Sequence, residues 1–211
     1  RDLAGDGTMA RQSQGMNLTP VTMADEHVRL EPFDVTAHAG PLREMAERSG
    51  EALATWPYYF PPHDWISAWI ENMAQRMAAG TLLPFAVYSP GGEFIGMTSY
   101  LSPDVASRNA EIGMTIYGPE YQGGATNPAC KRLLLGHAFE QGAIRINFNV
   151  DQRNRRSQAA VLKLGASQEG ILRDNRILPN GIVRSTVVFS ILAREWSGVK
   201  AKLDARLTDF G

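Results

Sequence analysis

Apolar and polar positions alternate most cleanly in two stretches. Ala110, Ile112, Met114 and Ile116 alternate with Glu111, Gly113, Thr115 and Tyr117, and Ile144, Ile146, Phe148 and Val150 alternate with Arg145, Asn147, Asn149 and Asp151. Both have the period of a strand with one buried face. The spacing predicts further strands over His27–Phe33, Phe85–Tyr88 and Phe94–Tyr100, the last two flanking the turn Ser89-Pro90-Gly91-Gly92. Helical spacing appears over Ala37–Arg48 and over Asp64–Met77, where Trp65, Trp69 or Ile70, Met73 and Met77 share a stripe. It returns at Cys130, Leu133, Leu134, Ala138 and Phe139, closed by Gly142, in a short helix from Ser157 to Leu164 closed by Gly165, and at Trp196, Val199, Leu203 and Leu207. Asn180-Gly181 marks a hairpin near the C-terminus.

Hairpins on both sides of a strand–helix–strand unit predict a mixed α/β sheet, mostly antiparallel, with helices on both faces. Residues 1–24 are rich in Gly, Gln, Ser and Thr without an apolar period, and are expected to be a disordered tail, part of it upstream or expression-derived. Residues 25–211 are expected to be a single domain, since no linker divides them.

Between the two alternating strands lies Tyr121-Gln122-Gly123-Gly124-Ala125-Thr126-Asn127-Pro128. It reads as a glycine-rich turn into a helix, with Asn127 as N-cap and Pro128 in the first helical position. The unpartnered N–H groups and the positive dipole end of such a helix favour an anion, most often a phosphate. Neither G-x-x-x-x-G-K-[ST] nor G-x-G-x-x-G after a strand is present, which disfavours a nucleotide-triphosphate loop and a dinucleotide site.

Composition narrows the class. The chain is 44% hydrophobic and 20% charged with net charge −1, ordinary for a globular protein and without the basic run that binds nucleic acid. No span-length apolar run and no secretory signal is seen, so a cytoplasmic protein is expected. The one cysteine, Cys130, lies on an apolar stripe, as an inert buried thiol would. No residues have metal-ligand spacing, and no metal is expected.

Gln122, Gly123, Gly124, Asn127 and Lys131, with an aromatic at Tyr121, resemble the acetyl-CoA signature of the GCN5-related N-acetyltransferases (GNAT), RimJ/RimL-type branch. The likeness continues through Leu133–Glu140, Asp151–Ser157, Lys163–Ala166, Glu169–Arg173, Phe189–Leu192 and Glu195-Trp196. Ala125 departs from the usual glycine, and alanine there costs about 1 kcal/mol if the position needs φ > 0. The resemblance implies a GNAT-like acyl-CoA N-acyltransferase fold that moves acetyl from acetyl-CoA to a primary amine, either a protein N-terminal α-amine or a small-molecule amine. Transfer is direct, in a ternary complex. It implies cofactor contacts by Met114, Thr115, Ile116, Gln122, Gly123, Gly124, Ala125, Thr126, Asn127, Asn154 and Ser157, and a homodimer whose surface the C-terminal helix and last hairpin would supply.

At neutral pH an α-amine is about 10–15% neutral and a lysine about 0.04%, so a base helps both acceptors. Glu111, on the strand before the anion loop and on the same side as Thr115, is the candidate base, the alternative being a strand carboxylate paired with an arginine. Ser157 is the candidate acid for the leaving thiolate, because Val161 stands where many relatives carry tyrosine. Asn154 and Ser157 also read as plain helix capping. Trp56, Tyr58 and Tyr59 would wall the acceptor pocket or anchor a loop. Lys131 and Arg132 are expected on a solvated face, within reach of a CoA phosphate. The rival from another class is a non-catalytic acyl-CoA-binding or sensing module of the same fold.

Overall fold

A computed structural model describes residues 15–50 and 65–210. Eight strands form one continuous sheet in the order β1-β2-β3-β4-β5-β6-β8-β7. They are β1 (Met23–Ala24), β2 (Arg29–Pro32), β3 (Leu82–Tyr88), β4 (Phe94–Asp104), β5 (Asn109–Tyr117), β6 (Arg145–Asp151), β7 (Ser167–Ile177) and β8 (Val183–Leu192). Every neighbouring pair is antiparallel except β5 and β6. The helices are α1 (Val35–Ser49), α2 (Trp65–Ala78), α3 (Thr126–Glu140), α4 (Arg155–Lys163) and α5 (Trp196–Thr208). The expected mixed sheet with helices on both faces is what forms.

Two cores sit on opposite faces. Leu42, Met45, Trp69 and Met73 of α1 and α2 pack against Leu82, Ala86, Met97, Leu101 and Ile116. On the other face Cys130, Leu134 and Ala138 of α3, Val161 of α4 and Leu203 of α5 pack against Phe85, Tyr100, Ile112, Ile146 and Phe189. Burying these stripes contributes about 1.5–3 kcal/mol for each large side chain.

Residues 15–24 differ from the expected tail boundary. Met16 is buried in the α3-side core, Asn17 donates its N–H to the Gln141 carbonyl at 3.0 Å, and Met23–Ala24 extends the sheet against β2. A single buried apolar residue followed by a two-residue strand is too short to give a period.

Two features of β5 shape the middle of the sheet. The first is a bulge. Met97 faces Ile116 and Ser99 faces Gly113, so β5 holds one residue more than β4, and Met114 takes the left-handed conformation at φ 48°. The extra residue reverses the side-chain parity. Ala110 and Ile112 face α3, whereas Ile116 and Met114 face α1 and α2. The regular alternation expected across 110–117 therefore breaks at Met114. The second is a parting of strands. β5 and β6 pair only from Asn109 with Arg145 to Glu111 with Asn147. Beyond Glu111 the β6-facing edge of β5 has no strand partner among the described residues.

Candidate active site

The parting of β5 from β6 places two helix starts beside one gap. α3 begins after the C-terminal end of β5, and α4 begins four residues after the end of β6. In open α/β sheets such a divergence at the carboxyl ends of parallel strands is where ligands bind.

At the α3 side the helix begins earlier than expected. Ala125 is the N-cap, in the right-handed region at φ −68°, and no side chain caps the helix. Asn127, expected as N-cap, is a first-turn residue, and Pro128 follows it where a missing N–H still costs nothing. The reason is local. Gly123 takes the left-handed turn at φ 85°, so the chain is already helical at Ala125. Alanine at 125 therefore carries no backbone penalty. The N–H groups of Gly123, Gly124, Ala125, Thr126 and Asn127 have no acceptor among the described residues. A Cβ built on Gly123 or Gly124 meets nothing within 4 Å. This open row of donors at the positive end of α3 fits a pyrophosphate. Gln122 is not part of that row through its side chain, which folds back and donates to the Tyr117 carbonyl at 2.9 Å.

Glu111 is the last residue of β5 that pairs with β6, and it faces α1 and α2, as its β4 partner Leu101 does. Asn149 of β6 donates from Nδ2 to Glu111 Oε2 at 2.7 Å. Oε1 lies over Gly113, where an added Cβ would come within 3.2 Å of it. Burial raises the Glu111 pKa, opposed by the Asn149 hydrogen bond and by the charges of Arg176, Arg184 and Arg76. No lysine or arginine among the described residues forms an ion pair with it. The alternative reading as an arginine-paired strand carboxylate therefore gives way to a buried carboxylate with one oxygen held and one left open.

Thr115 does not share Glu111's side, contrary to expectation. The bulge turns it toward α3, where its hydroxyl meets Thr98 Oγ1 at 2.8 Å and accepts from Lys131 Nζ at 2.7 Å. Lys131 is not on a solvated face. It is 5% exposed, and its Nζ also donates to Thr98 Oγ1 at 3.0 Å. Arg132 pairs instead with Asp204 of α5. Met114 accepts a hydrogen bond at Sδ from Arg76 Nη1 at 3.3 Å.

At the α4 side Asn154 is the N-cap, accepting the Ser157 N–H at 2.9 Å. Ser157 is half-buried in the first turn, and its hydroxyl has no partner among the described residues. Trp56, Tyr58 and Tyr59 lie outside the described residues. Cys130 is buried, and burial pushes its thiol to about 11, so it is inert at neutral pH. No group of three or more His, Cys, Asp or Glu among the described residues could hold a metal, and no helix among them is long and apolar enough to cross a membrane.

A family model described as "Acetyltransferase (GNAT) domain" matches residues 27–167. The chain belongs to the GNAT acetyltransferases. It is an acyltransferase. The chain is 35% identical over 111 residues to a Bacillus subtilis (strain 168) protein called "Putative ribosomal N-acetyltransferase YdaF", a match spanning 52% of this chain and 59% of that protein's length. This likeness agrees with the RimJ/RimL-type resemblance read from the sequence. A crystal structure of a "putative acetyltransferase" from T. thermophilus is 36% identical at TM-score 0.76, covering 91% of this chain and 100% of that one. Mycobacterium smegmatis RimJ, solved in complex with CoA-disulfide, shares the fold at TM-score 0.70 and 23% identity, over 84% of this chain and 88% of its own.

Sequence reasoning missed Asn149, Arg76, Arg176 and Arg184 around Glu111. Asn149 could have been found, since it shares its parity on β6 with Asn147, which pairs Glu111. The arginines come from α2, β7 and β8, and nothing in their spacing signals convergence.

Proposed function

We propose that this GNAT acetyltransferase moves acetyl from acetyl-CoA to a primary amine by direct attack in a ternary complex, with Glu111 as general base. The observation that carries the reading is the Glu111–Asn149 hydrogen bond at the point where β5 and β6 part. The donors from Gly123 to Asn127 would hold the pyrophosphate. The unpaired β5 edge at Met114, Thr115 and Ile116 would hold the pantetheine arm, and Asn154 and Ser157 would line its far side.

When bound, acetyl-CoA supplies an acyl thioester open to amine attack. Glu111 would take, directly or through one water, the proton that the ammonium must lose to become the attacking amine, whose C–N bond would then replace the C–S bond of the thioester. Asn149 fixes one carboxylate oxygen, so the other keeps one direction. A backbone N–H in the 114–116 segment polarises the acyl oxygen. The Ser157 hydroxyl, which has no partner among the described residues, would hydrogen-bond the departing sulfur and relay to it the second proton that the nitrogen sheds as the amide forms.

The relative named for ribosomal acetylation supports a protein N-terminal α-amine as acceptor, with a small-molecule amine as the second possibility. Trp56, Tyr58 and Tyr59 would wall the acceptor side. A cytoplasmic setting suits the buried thiol of Cys130. Ile171, Leu172, Ile177 and Val183, all exposed on the β7–β8 hairpin, support a homodimer through that edge.

Thiol release from acetyl-CoA, measured with N-terminal peptides and small amines, tests the proposal. Turnover with one acceptor class, lost in Glu111→Gln, is the expected result. Binding of CoA with no thiol release from any acceptor favours the non-catalytic reading instead.

A further inference from the structure

Lys131 is the most deeply buried cation of the described chain, and the acetyl transfer proposed for Glu111 does not use it. Among the described residues its Nζ reaches only Thr98 of β4 and Thr115 of β5, at 3.0 and 2.7 Å. No carboxylate among the described residues pairs with it. A lone buried ammonium is costly, and a methionine of similar length would fill the space without that cost. The two threonine hydroxyls already meet each other at 2.8 Å, so they do not need the lysine to be satisfied. Structure alone gives no reason to keep a charge here.

The location does. Lys131 lies five residues past Thr126, roughly 7–8 Å along α3, and helical side chains lean toward the N-terminus. Its charge therefore sits on the sheet-facing side of the helix that begins with the donor row, against Thr98 and Thr115. Thr115, which it grips, directly follows Met114, the left-handed residue of the β5 bulge. One side chain ties the anion loop's helix to the strand edge that borders the gap.

We propose that Lys131 is a positioning residue of the CoA site, holding the β5 bulge through Thr115 and Thr98 and supplying a buried positive charge that the anionic cofactor completes. This rests on the assignment of the gap to acetyl-CoA. It follows that cofactor binding and protonation of Lys131 are linked. Burial lowers its pKa to about 8 in the free protein, and a bound polyanion raises it. Binding at pH 8–9 then takes up a proton. Affinity is full below pH 8 and falls, by up to ten-fold per pH unit, as pH rises toward the bound-state pKa.

The other titratable or charged groups on the surrounding elements are few. α3 carries Cys130, Arg132, His137 and, at its far end, Glu140; β4 carries Tyr100 and, at its far end, Asp104; β5 carries Tyr117 and, on its opposite face, Glu111; Asp25 precedes β2. Burial pushes Cys130 to about 11 and raises Tyr100 and Tyr117 well above their ordinary values, so none of the three loses a proton near pH 8. Acetyl-CoA has no free thiol, and a phosphomonoester is fully ionised above pH 7.

Titration calorimetry of the full chain with acetyl-CoA at pH 8.5, in two buffers of different ionisation enthalpy, tests the inference. Wild type should take up a large fraction of one proton per site. Lys131→Met should bind about ten-fold more weakly at pH 7.5, with no uptake and a flat pH profile, while Thr115→Val, which keeps the charge, should retain the uptake. Wild-type binding without proton uptake overturns the inference and leaves the cofactor assignment standing; that measurement needs no variant to fold. Absence of any acetyl-CoA binding overturns both.

Discussion

Asn149 and Glu111 join β6 to β5 by a 2.7 Å hydrogen bond at the last point where the two strands still touch. The contact does two things. It anchors one carboxylate oxygen, and it restrains a pKa that burial raises. Because the folded-state pKa is raised, the carboxylate form is lost as pH falls through that raised value, and with Glu111 as the proposed base this should set the acidic limb of kcat/KM. Removing the hydrogen bond with Asn149→Ala should move this limb to higher pH. Glu111→Gln should remove it and lower kcat by about 10²–10⁴-fold at neutral pH, with a smaller loss at high pH where the amine is already neutral. A pH–rate series on the three proteins checks this.

The same raised pKa has a stability consequence. A carboxyl that prefers its proton when folded stabilises the protein fully below its unfolded pKa and loses that contribution as pH rises through its folded pKa. At neutral pH, above its unfolded pKa, Glu111 is therefore a liability. Glu111→Gln, which can still accept from Asn149, should raise Tm at pH 7 and leave it unchanged at pH 4, as thermal melts would show.

Gly123 and Ala125 should respond in opposite ways. Gly123→Ala forces a Cβ into φ 85°, costs about 1–2 kcal/mol, and fills part of the open anion cradle. Its affinity for acetyl-CoA should fall at least ten-fold. Ala125→Gly restores the usual signature residue, yet Ala125 is already right-handed. Calorimetry should find no gain in affinity, and denaturation should find a change of less than about 0.5 kcal/mol, because the freedom glycine adds is offset by its suitability at an N-cap.

Asn154 and Ser157 separate capping from chemistry. The cap uses the Ser157 N–H, not its hydroxyl. Ser157→Ala should therefore keep wild-type stability while lowering kcat about 10²-fold or more, as loss of a proton donor does. Asn154→Ala should cost about 1 kcal/mol and raise the KM for acetyl-CoA. Chemical denaturation beside steady-state kinetics distinguishes them.

Gly96 guards the bulge. A Cβ there would lie 2.1 Å from the Ile116 carbonyl oxygen, with φ at 151°. Backbone must move, so Gly96→Ala should destabilise by about 3 kcal/mol and weaken acetyl-CoA binding with it, seen in denaturation and titration together.

Hydrophobic period and turn chemistry, both local, made the elements legible. The Phe94 strand, the Asn180-Gly181 turn, the Asn154 cap and the stripe of Val199, Leu203 and Leu207 all lie where spacing placed them. The glycine-rich turn and the residues that follow it gave the family, because backbone donors at a helix start need only local sequence.

What local sequence could not supply was parity across a defect and proximity across the fold. One extra residue at Met114 turned Thr115 to the far side from Glu111, since a strand's side chains change face with every residue. Lys131 looked solvated because its helix stripe is read without knowing that two threonines lie beneath it. Asn149 met Glu111 only when β5 and β6 came to lie parallel and then diverged. The chain alone determined most of the strands, the helices and the glycine-rich turn before α3. Tertiary packing decided which polar groups would be buried together, because desolvation and hydrogen bonding depend on neighbours that are distant in sequence.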